Sequence, residues 1–592
     1  MSRYTAPLRE MRFVLFEVLQ AESAFAELVG AENASRDLID AVLEEGARFT
    51  EQVLAPLNQT GDAEGCRWEQ GRVLSPKGFK EAYTQFVDGG WNGLTAAEKF
   101  GGQGLPEVVG AVVKEMIDSA NLSWGTYPLL SHGATESLKN VGTPWQQEVF
   151  LKPIVEGRWT GTMCLTESHC GSDLGLLKTK AEPAGDDTYR ITGSKIFITA
   201  GDHDMTENII HLVLARLPDA PPGVRGISLF IVPKIKVNRE GVMGAANALG
   251  CGSIEHKMGI KGSATCVMNF DGAEGYLIGA ANKGLAAMFL MMNSARLAVG
   301  LQGLGLMERA WQNALAYARE RLQGRSLTGP KRPDKAADPL IVHPDIRRML
   351  FTQKALIEAG RALAYRAILL VDQAQHSRTP EAREQAEVLL GFLTPIVKAG
   401  LTEFANECCY HAQQIFGGHG YIREWGMEQL SRDARITTVY EGTTGIQALD
   451  LIGRKVLQLQ GAGLKLFATE ISAFCAQHAG ESALVEFVTA LARATQEWMD
   501  LTLAIGKAAE ANPDAIGGAA HDYLFYSTYV AFAYYSLRLL VAAAGTDQDF
   551  QAAKLANTRF YFQRILPRAT AHAAAIRSGS GNLMELADTA FV

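Results

Sequence analysis

The sequence contains few cysteines, and none of them has the spacing of a structural zinc site. Eight cysteines are scattered over 592 residues; Cys408 and Cys409 are adjacent, and no CxxC pair occurs. Sparse thiols without paired spacing argue against a zinc site and are typical of proteins in a reducing compartment. We therefore expect a cytoplasmic protein with no metal centre.

The sequence also leads us to expect neither a targeting segment nor a membrane-spanning apolar run. The first 25 residues carry six charged side chains, which leaves no room for the apolar core of a signal peptide. The nearest candidate for a membrane helix is 523–544, but it contains Ser527, Thr528, Ser536 and Arg538. A membrane span needs roughly 20 predominantly apolar residues, so we predict a buried helix there and no integral membrane segment.

An excess of positive charge is missing as well. The chain has 56 basic and 64 acidic residues, and its net charge is −8. Because phosphate backbones are bound by basic surfaces, this balance argues against nucleic acid as a partner. The hydrophobic content of 47% and the charged content of 20% are ordinary for a folded soluble protein. The length alone allows roughly three to five domains.

The hydrophobic periodicity divides the chain into blocks. Helical spacing dominates 1–160, and we divide this part into an N-terminal extension helix at 1–35 and an α-helical domain at 36–159. Short β-type runs separated by glycine and proline occupy 160–280 and predict a small antiparallel sheet or barrel. Helical spacing returns in a bundle domain at 281–459 and in a C-terminal extension domain at 460–592. The fold class predicted is mainly α with a central β domain.

One acidic residue stands out near the end of the bundle block. Glu441 is followed by Gly442, Thr443, Thr444 and Gly445, and a helical pattern begins directly afterwards. Glycine after a carboxylate allows a ligand to approach the backbone closely. Such a carboxylate can act as a general base, or it can simply be a charge that favours a helix N-terminus. These residues alone leave both interpretations open.

Three other motifs carry polar groups that could bind a ligand. The segment 162–173, TMCLTESHCGSD, offers hydroxyls and turn amides for a phosphate or a heterocycle edge, although ordinary turns look similar. In 193–199, GSKIFIT, Phe197 and Thr199 share one face of a strand and could hold a flat ring. In 414–420, QIFGGHG, a helix ends on glycines, either as a plain C-cap or for close backbone approach to a ligand.

Two arginines lie in apolar helical stretches. Arg296 and Arg321 must each be paired or extend to the surface, and the surface is the more common outcome. A bound phosphate is the functional alternative, because the guanidinium offers several donors in one plane.

Taken in order, these motifs resemble the acyl-CoA dehydrogenase family from about residue 40 to 455. The resemblance is carried by MCLTESHCGSD, GSKIFITAG, QQIFGGHGY and RDARITTVYEGTTGIQ. The extra N-terminal helix and the helices after 460 are similar to a longer bacterial branch of that family. The resemblance implies an α-helical domain, a β-barrel-like domain and a four-helix-bundle domain, followed by an extra C-terminal helical domain, with FAD as cofactor.

The resemblance also implies a role for individual residues. Glu441 holds the position of the catalytic base. Positions matching FAD contacts are Met163, Leu165, Thr166, Gly171, Ser172, Phe197, Thr199, Arg321, Gln323, Gln414, Gly417, Gly418 and Thr443, of which Arg321 and Gln414 with its two glycines match contacts to FAD in a neighbouring subunit. Positions matching substrate contacts are Ser172, Asn293, Arg296, Glu441 and Gly442.

The sequence departs from the family pattern at three places. Phe197 stands where many members have tryptophan, and Gly445 stands where many have glutamine. A phenylalanine that many members carry is absent after Gln323, so the contact implied for Gln323 is the least secure. Trp124, Tyr127 and Leu129 lie in the stretch implied to approach the acyl chain, where Trp124 could equally belong to the core.

The implied reaction is dehydrogenation of an acyl-CoA thioester to a trans-2-enoyl-CoA, as in fatty acid β-oxidation. Glu441 removes the α-proton while the β-hydrogen leaves as hydride to flavin N5. Hydrogen bonds from the Glu441 N–H and a flavin ribityl hydroxyl polarise the thioester carbonyl. The expected partners are electron-transfer flavoprotein and further copies of the chain, as a homodimer or dimer of dimers. An acyl-CoA oxidase that uses oxygen and an inactive acyl-CoA-binding or assembly protein are the alternatives.

Overall fold

The computed structural model describes residues 4–591. Its α-helices in the first half are α1 Leu8–Arg12, α2 Ala21–Ala26, α3 Arg36–Phe49, α4 Leu57–Glu64, α5 Phe79–Asp88, α6 Glu107–Val141, α7 Pro144–Gln146 and α8 Lys152–Val155. Those in the second half are α9 Gly284–Glu320, α10 Pro344–His376, α11 Pro380–Phe416, α12 Met427–Thr437, α13 Thr444–Leu449, α14 Ala462–His478, α15 Val485–Ala511, α16 Asp514–Ala542, α17 Gln548–Phe560, α18 Ala569–Arg577 and α19 Gly581–Met584. The strands lie between these two sets, apart from a short hairpin after α4.

The strands are β1 Arg67–Glu69, β2 Arg72–Leu74, β3 Trp159–Cys164, β4 Lys180–Gly185, β5 Thr188–Thr199, β6 Asn208–Arg216, β7 Ile227–Pro233, β8 Ile235–Val237, β9 Met243–Ala246, β10 Leu249–Ile254 and β11 Thr265–Ile278. The observed order of helices, central strands and further helices confirms the fold class predicted from the hydrophobic pattern. The domain boundaries assigned from the sequence stay predictions.

The chain forms two compact units. One, called here the helical unit, contains the chain up to Ala47, Pro106–Ser119 and the chain from Val299 onward. The other, called here the barrel unit, contains Arg48–Leu105 and Ala120–Ala298. The division falls inside α6 and α9, so each of these helices contributes residues to both units.

In the barrel unit, five strands close on themselves. β11 pairs with β5, β5 with β4, β4 with β6, β6 with β7, and β7 returns to β11. β10 is added to β11, and β3 lies parallel to β6. Closure gives each of the five ring strands a partner on both sides, whereas β10 and β3 each pair with one strand. Small barrels are filled by side chains. The buried apolar set includes Ile191, Val213, Phe230, Cys266 and Ala273.

In the helical unit, α10 and α11 pack side by side, and α16 packs against both of them as well as against α15 and α18. The segment around Tyr523 and Tyr535, predicted from its polar interruptions to be a buried helix, is indeed buried in α16. Two other helical segments, Gly284–Glu320 and Pro380–Tyr421, are long and apolar enough to cross a membrane by composition. Their apolar windows are 61% and 78% buried, as in the core helices of globular proteins. The expectation from the sequence, that 523–544 comes nearest to a membrane helix, did not include these two helices.

A buried ionic network joins several helices of the helical unit. Arg361 of α10 donates to Glu115 of α6 and Glu308 of α9, both at 2.7 Å, and all three side chains are at most 2% exposed. Lys554 of α17 pairs with Glu358 at 2.9 Å. Buried charges are tolerated when they are paired in this way, and the network fixes the packing of the helices that carry it.

Candidate active site

Glu441 lies in a tight turn between α12 and α13. Its φ is +56°, and that of the following Gly442 is +92°. A non-glycine residue in the left-handed region costs on the order of 1–3 kcal/mol and persists only where its surroundings hold it. The helix starts at Thr444, three residues later than the carboxylate. The turn, rather than the helix, therefore determines where Glu441 is presented.

Several side chains of the helical unit hold this turn. The Gln447 amide donates to the Glu441 carbonyl at 3.0 Å, and the Lys398 ammonium donates to the Gly442 carbonyl at 2.8 Å. Gln447 and Lys398 are both 0% exposed. Before the turn, the Tyr440 hydroxyl donates to the buried side-chain oxygen of Gln302. The backbone after Glu441 and the side chain of the residue before it are thus held by buried polar groups.

Carboxylates surround Tyr440. Burial raises the pKa of its phenol, and the negative charges of Asp118, Glu441 and Asp433 raise it further. Burial also raises the pKa of Asp118 to about 6, although its ion pair with Lys114 opposes that shift. Tyr440 therefore remains a neutral hydrogen-bond donor at neutral pH.

An open cleft of about 430 Å³ lies in the helical unit beside the Glu441 turn. It is lined by Glu403, Asn406, Arg435, Thr438, Val439, Thr443, Thr444 and Gly445. Thr443 caps α13 by accepting a hydrogen bond from the Ile446 N–H, and Thr444 donates to Glu403. One guanidinium, several hydroxyls and a glycine without a side chain are groups suited to a phosphate-containing ligand. The Glu403 carboxylate lies in the same lining, so the cleft presents both a cation and an anion.

The ends of α9 and α11 form an accessible polar face in the helical unit. Tyr317 stacks on Phe416 with ring centroids 4.1 Å apart, which brings the two helix ends together. The exposed residues here include the five that match FAD contacts, Arg321, Gln323, Gln414, Gly417 and Gly418. A Cβ added to either glycine would have no neighbouring atom within 4 Å. A ligand can therefore approach the backbone closely at these glycines.

In the barrel unit, a buried lysine joins two of the sequence motifs. Lys195 of β5 donates to the Leu165 carbonyl at 3.0 Å and to the Glu167 carboxylate at 2.8 Å. The Ile196 N–H donates to the Thr166 carbonyl at 2.9 Å. The loop that carries Leu165 and Thr166 is therefore fixed against β5.

Glu167 is held as an anion. It accepts four hydrogen bonds, from the Lys178 N–H, the Thr179 N–H, the Thr179 hydroxyl and Lys195. Burial opposes its ionisation, but the Lys195 charge and these hydrogen bonds keep its pKa at about 2. A carboxylate this acidic is unsuited to be a base at neutral pH, so Glu167 has a structural role.

A bulge in β5 turns Phe197 outward. Lys195 pairs with Met268 and Ile198 pairs with Cys266, so two residues of β5 oppose one of β11. Phe197 has φ +60° and is 58% exposed, whereas Ile198 and Ala200 are buried. Phe197 and Thr199, which the sequence placed on one face of the strand, thus alternate with the buried Ile198 and Ala200. An exposed ring beside a hydroxyl fits the flat ring system of a flavin.

Glu167, His169 and Cys170 also bring three possible metal-ligand atoms within 4.8 Å of one another, a grouping that the sequence analysis did not foresee. The Glu167 oxygens already accept four hydrogen bonds, and His169 Nε2 donates to the Leu176 carbonyl at 3.0 Å. The neighbouring Lys195 ammonium would repel a cation. This arrangement does not fit a metal ion.

Comparison with known proteins identifies the family. The chain matches family models described as acyl-CoA dehydrogenase N-terminal domain at 39–158, middle domain at 162–273 and C-terminal domain at 282–457, and a model described as acetyl-CoA dehydrogenase C-terminal like at 467–587. It is 43% identical to 3-methylmercaptopropionyl-CoA dehydrogenase of Ruegeria pomeroyi, over 98% of this chain and 99% of that protein. This chain belongs to the acyl-CoA dehydrogenase family. The resemblance inferred from the motifs is confirmed.

Two further similarities bear on cofactor and partner. The chain is 33% identical to the caffeyl-CoA reductase–Etf complex subunit CarC of Acetobacterium woodii, over 53% of this chain and 72% of that subunit. Its fold is similar to that of an acyl-CoA dehydrogenase from Bacillus anthracis solved in complex with FAD, with a TM-score of 0.74, 20% identity, and coverage of 93% and 90% of the two chains. Enzymes of this family are FAD-dependent oxidoreductases.

The structure of this acyl-CoA dehydrogenase corrects the expectation for Arg296 and decides between the two interpretations of Trp124. Arg296 was expected to reach the surface, but it is 5% exposed, while its neighbour Asn293 is exposed. Trp124 is completely buried, donates to the Phe79 carbonyl at 3.2 Å and packs edge-on against Phe86. Trp124 therefore belongs to the aromatic core of the barrel unit.

Sequence reasoning missed the residues that support the site. Lys195, Glu167, Lys398 and Gln447 were not singled out, although each makes a buried polar contact with a motif. One signal was available: Lys398 interrupts an otherwise apolar helical stretch, and a lysine buried in such a place must find a hydrogen-bond acceptor. The identity of that acceptor depends on the tertiary structure.

Proposed function

We propose that this acyl-CoA dehydrogenase converts a short acyl-CoA thioester to the trans-2-enoyl-CoA, with Glu441 as the catalytic base and electron-transfer flavoprotein as electron acceptor. The observation that carries the proposal is the presentation of Glu441 in a strained turn held by Lys398 and Gln447. Strain retained at a carboxylate, in a family whose reaction requires a base, supports a catalytic role for that residue.

Glu441 would act through two of its groups. Its carboxylate removes the α-proton, and its backbone N–H donates to the thioester oxygen, where negative charge develops as the proton leaves. Removal of water by the bound substrate raises the pKa of a carboxylate, which makes it a better base. Gly442, which has no side chain, leaves room for the thioester beside the turn.

FAD, when bound, supplies the acceptor for the hydride that leaves the β-carbon. Residues of the barrel unit suited to hold it are Met163, Leu165, Thr166, Gly171, Ser172, Phe197 and Thr199. Residues of the helical unit are Thr443, Arg321, Gln323, Gln414, Gly417 and Gly418, of which the last five would contact the cofactor of a second copy in a homodimer or dimer of dimers. Exposure of these five residues in the single chain supports that assignment.

The substrate proposal rests on similarity rather than on the pocket. Identity of 43% over nearly the whole chain to the Ruegeria enzyme supports a short acyl group, including one with a methylthio end. Ser172, Asn293 and Arg296 are the proposed contacts to the CoA portion. Similarity to the CarC subunit supports electron-transfer flavoprotein as partner. All eight cysteines are free thiols, which supports a cytoplasmic location.

The decisive variant is Glu441→Gln, which keeps the size of the side chain and removes the base. We expect the variant to retain its yellow cofactor and its acyl-CoA affinity but to lose anaerobic bleaching of the flavin by on the order of 10³-fold, within the usual contribution of a general base. The assay uses 3-methylmercaptopropionyl-CoA, butyryl-CoA and octanoyl-CoA in parallel. Glu424→Gln, an exposed glutamate of the same unit, is the matched control.

Bleaching of the Glu441→Gln variant at the wild-type rate would show that another group is the base. Peroxide released at the rate of substrate turnover, with no acceleration by electron-transfer flavoprotein, would contradict the proposed acceptor. Faster bleaching with octanoyl-CoA than with either short substrate would contradict the proposed chain length.

A further inference from the structure

We propose that Lys398 is a positioning residue of this enzyme, which acts together with Gln447 by holding the peptide groups after Glu441 in the orientation needed for proton removal. The inference rests on the proposed role of Glu441 as base. It concerns residues that do not themselves contact the reacting atoms.

Lys398 reaches the Glu441 turn from an apolar stretch of α11. It lies in the middle of α11, is 0% exposed and has Ile396, Val397 and Leu401 as buried neighbours in the helix. A buried ammonium is costly unless it donates hydrogen bonds, and Lys398 donates to the Gly442 carbonyl at 2.8 Å. This hydrogen bond ties the Gly442 carbonyl to the buried middle of α11.

Gln447 holds the same turn from the other side. Its amide donates to the Glu441 carbonyl at 3.0 Å and also lies 3.4 Å from the Gly442 carbonyl. A Cβ added to Gly442 would lie 2.7 Å from this amide nitrogen, so the glutamine packs directly on the backbone. A side chain larger than hydrogen at 442 would displace Gln447, in addition to the strain of φ +92°.

The consequence concerns both groups of Glu441. The two held carbonyls fix the peptide planes on either side of Gly442. The first of these planes is bonded to the Glu441 Cα, so the orientation of the Glu441 side chain and N–H depends on it. Because Glu441 has φ +56°, the turn relaxes toward ordinary conformations when its supports are removed. A displacement of about 1 Å at a reacting group can lower the rate by roughly 100-fold.

The test uses Lys398→Met in the full-length enzyme, because methionine fills the space without donating a hydrogen bond. We expect flavin content and acyl-CoA affinity near wild type, and a bleaching rate per bound flavin lower by roughly 100-fold. The α-deuterium isotope effect on bleaching should rise relative to the β-deuterium effect, because proton removal becomes the slower event. In flavin-free protein, backbone hydrogen exchange should increase at 438–446 more than elsewhere.

A merely structural role gives a different pattern. If Lys398→Met lowers activity only in proportion to bound flavin, with unchanged isotope effects, the proposal is overturned. If the variant does not retain flavin, Gln447→Met is measured in the same way, and Lys398→Arg is tested for partial recovery of the rate. Loss of flavin in both Lys398→Met and Gln447→Met also overturns it.

Lys554→Met is the matched control. Lys554 is as deeply buried as Lys398, at 1% exposed, but it pairs with Glu358 in the ionic network. We expect a lower melting temperature with unchanged bleaching rate and isotope effects, and a changed isotope effect here would overturn the proposal. An inactive Glu441→Gln with a normal Lys398→Met rejects only the positioning role, whereas an active Glu441→Gln rejects the base assignment itself.

Discussion

Two loops of this enzyme are each held by a buried lysine, but the two lysines hold different groups. In the barrel unit, Lys195 binds the Glu167 carboxylate, which is thereby kept ionised with a pKa of about 2. In the helical unit, Lys398 binds the Gly442 carbonyl, next to the carboxylate proposed as base. Lys195 thus holds its glutamate through the side chain, whereas Lys398 and Gln447 hold the backbone that follows Glu441.

The largest effect on stability should come from breaking the Lys195–Glu167 pair. Lys195→Met leaves a buried carboxylate without its cation, and removal of one partner of a buried pair costs about 3–5 kcal/mol. We expect a lower melting temperature and weaker FAD retention, measured by thermal unfolding and by flavin content after gel filtration. Normal bleaching per bound flavin should remain.

If Lys195→Met instead behaved like Glu441→Gln, with full flavin content and no bleaching, the Glu167 loop would not be purely structural. The contrast with the Glu441 turn would then be wrong. Glu167→Gln sharpens the comparison, because the amide oxygen can still accept from both Thr179 donors and from Lys195, and only the bond from the Lys178 N–H is lost. It should destabilise less than Lys195→Met.

The pH dependence of stability should report the same pair. The pKa of Glu167 is about 2 in the folded chain and near the ordinary value of about 4.3 when unfolded. A lowered folded pKa stabilises the protein above the unfolded pKa, and this stabilisation is lost as the pH falls from about 4.3 through 2. Thermal unfolding at pH 7, 4 and 3 should therefore show a steeper loss in the wild type than in Glu167→Gln. Parallel curves would contradict this assignment.

The smallest expected change is a change in stability at Gln460, which shares a left-handed backbone conformation with Glu441. Gln460, with φ +52°, lies in the turn before α14 and supports no proposed chemistry. Gln460→Gly should relieve its strain and stabilise the enzyme by about 0.5–1 kcal/mol, measured by denaturant unfolding, without a change in bleaching. Glu441→Gly, which also removes strain, should abolish bleaching. Destabilisation by Gln460→Gly would show that its conformation is held by contacts that need the side chain.

Much of this enzyme follows from the order of its residues. The change from helical to alternating apolar spacing near 160, and back again near 280, determines the sequence of helices, strands and helices. The four motifs are continuous segments whose chemistry is local, so the family and the glutamate proposed as base could both be inferred from them. The free thiols and the buried Tyr-rich helix follow equally from composition.

Only the tertiary structure decided how these segments are supported. Lys398 and Gly442 are 44 positions apart and Lys195 and Glu167 are 28 apart, so no local pattern relates the members of either pair. The bulge at Phe197 depends on pairing with β11, and the burial of Trp124 and Arg296 depends on what packs around them. Local periodicity determines which face of an element is apolar, while the partner that a buried charge finds is set by the packing of distant segments.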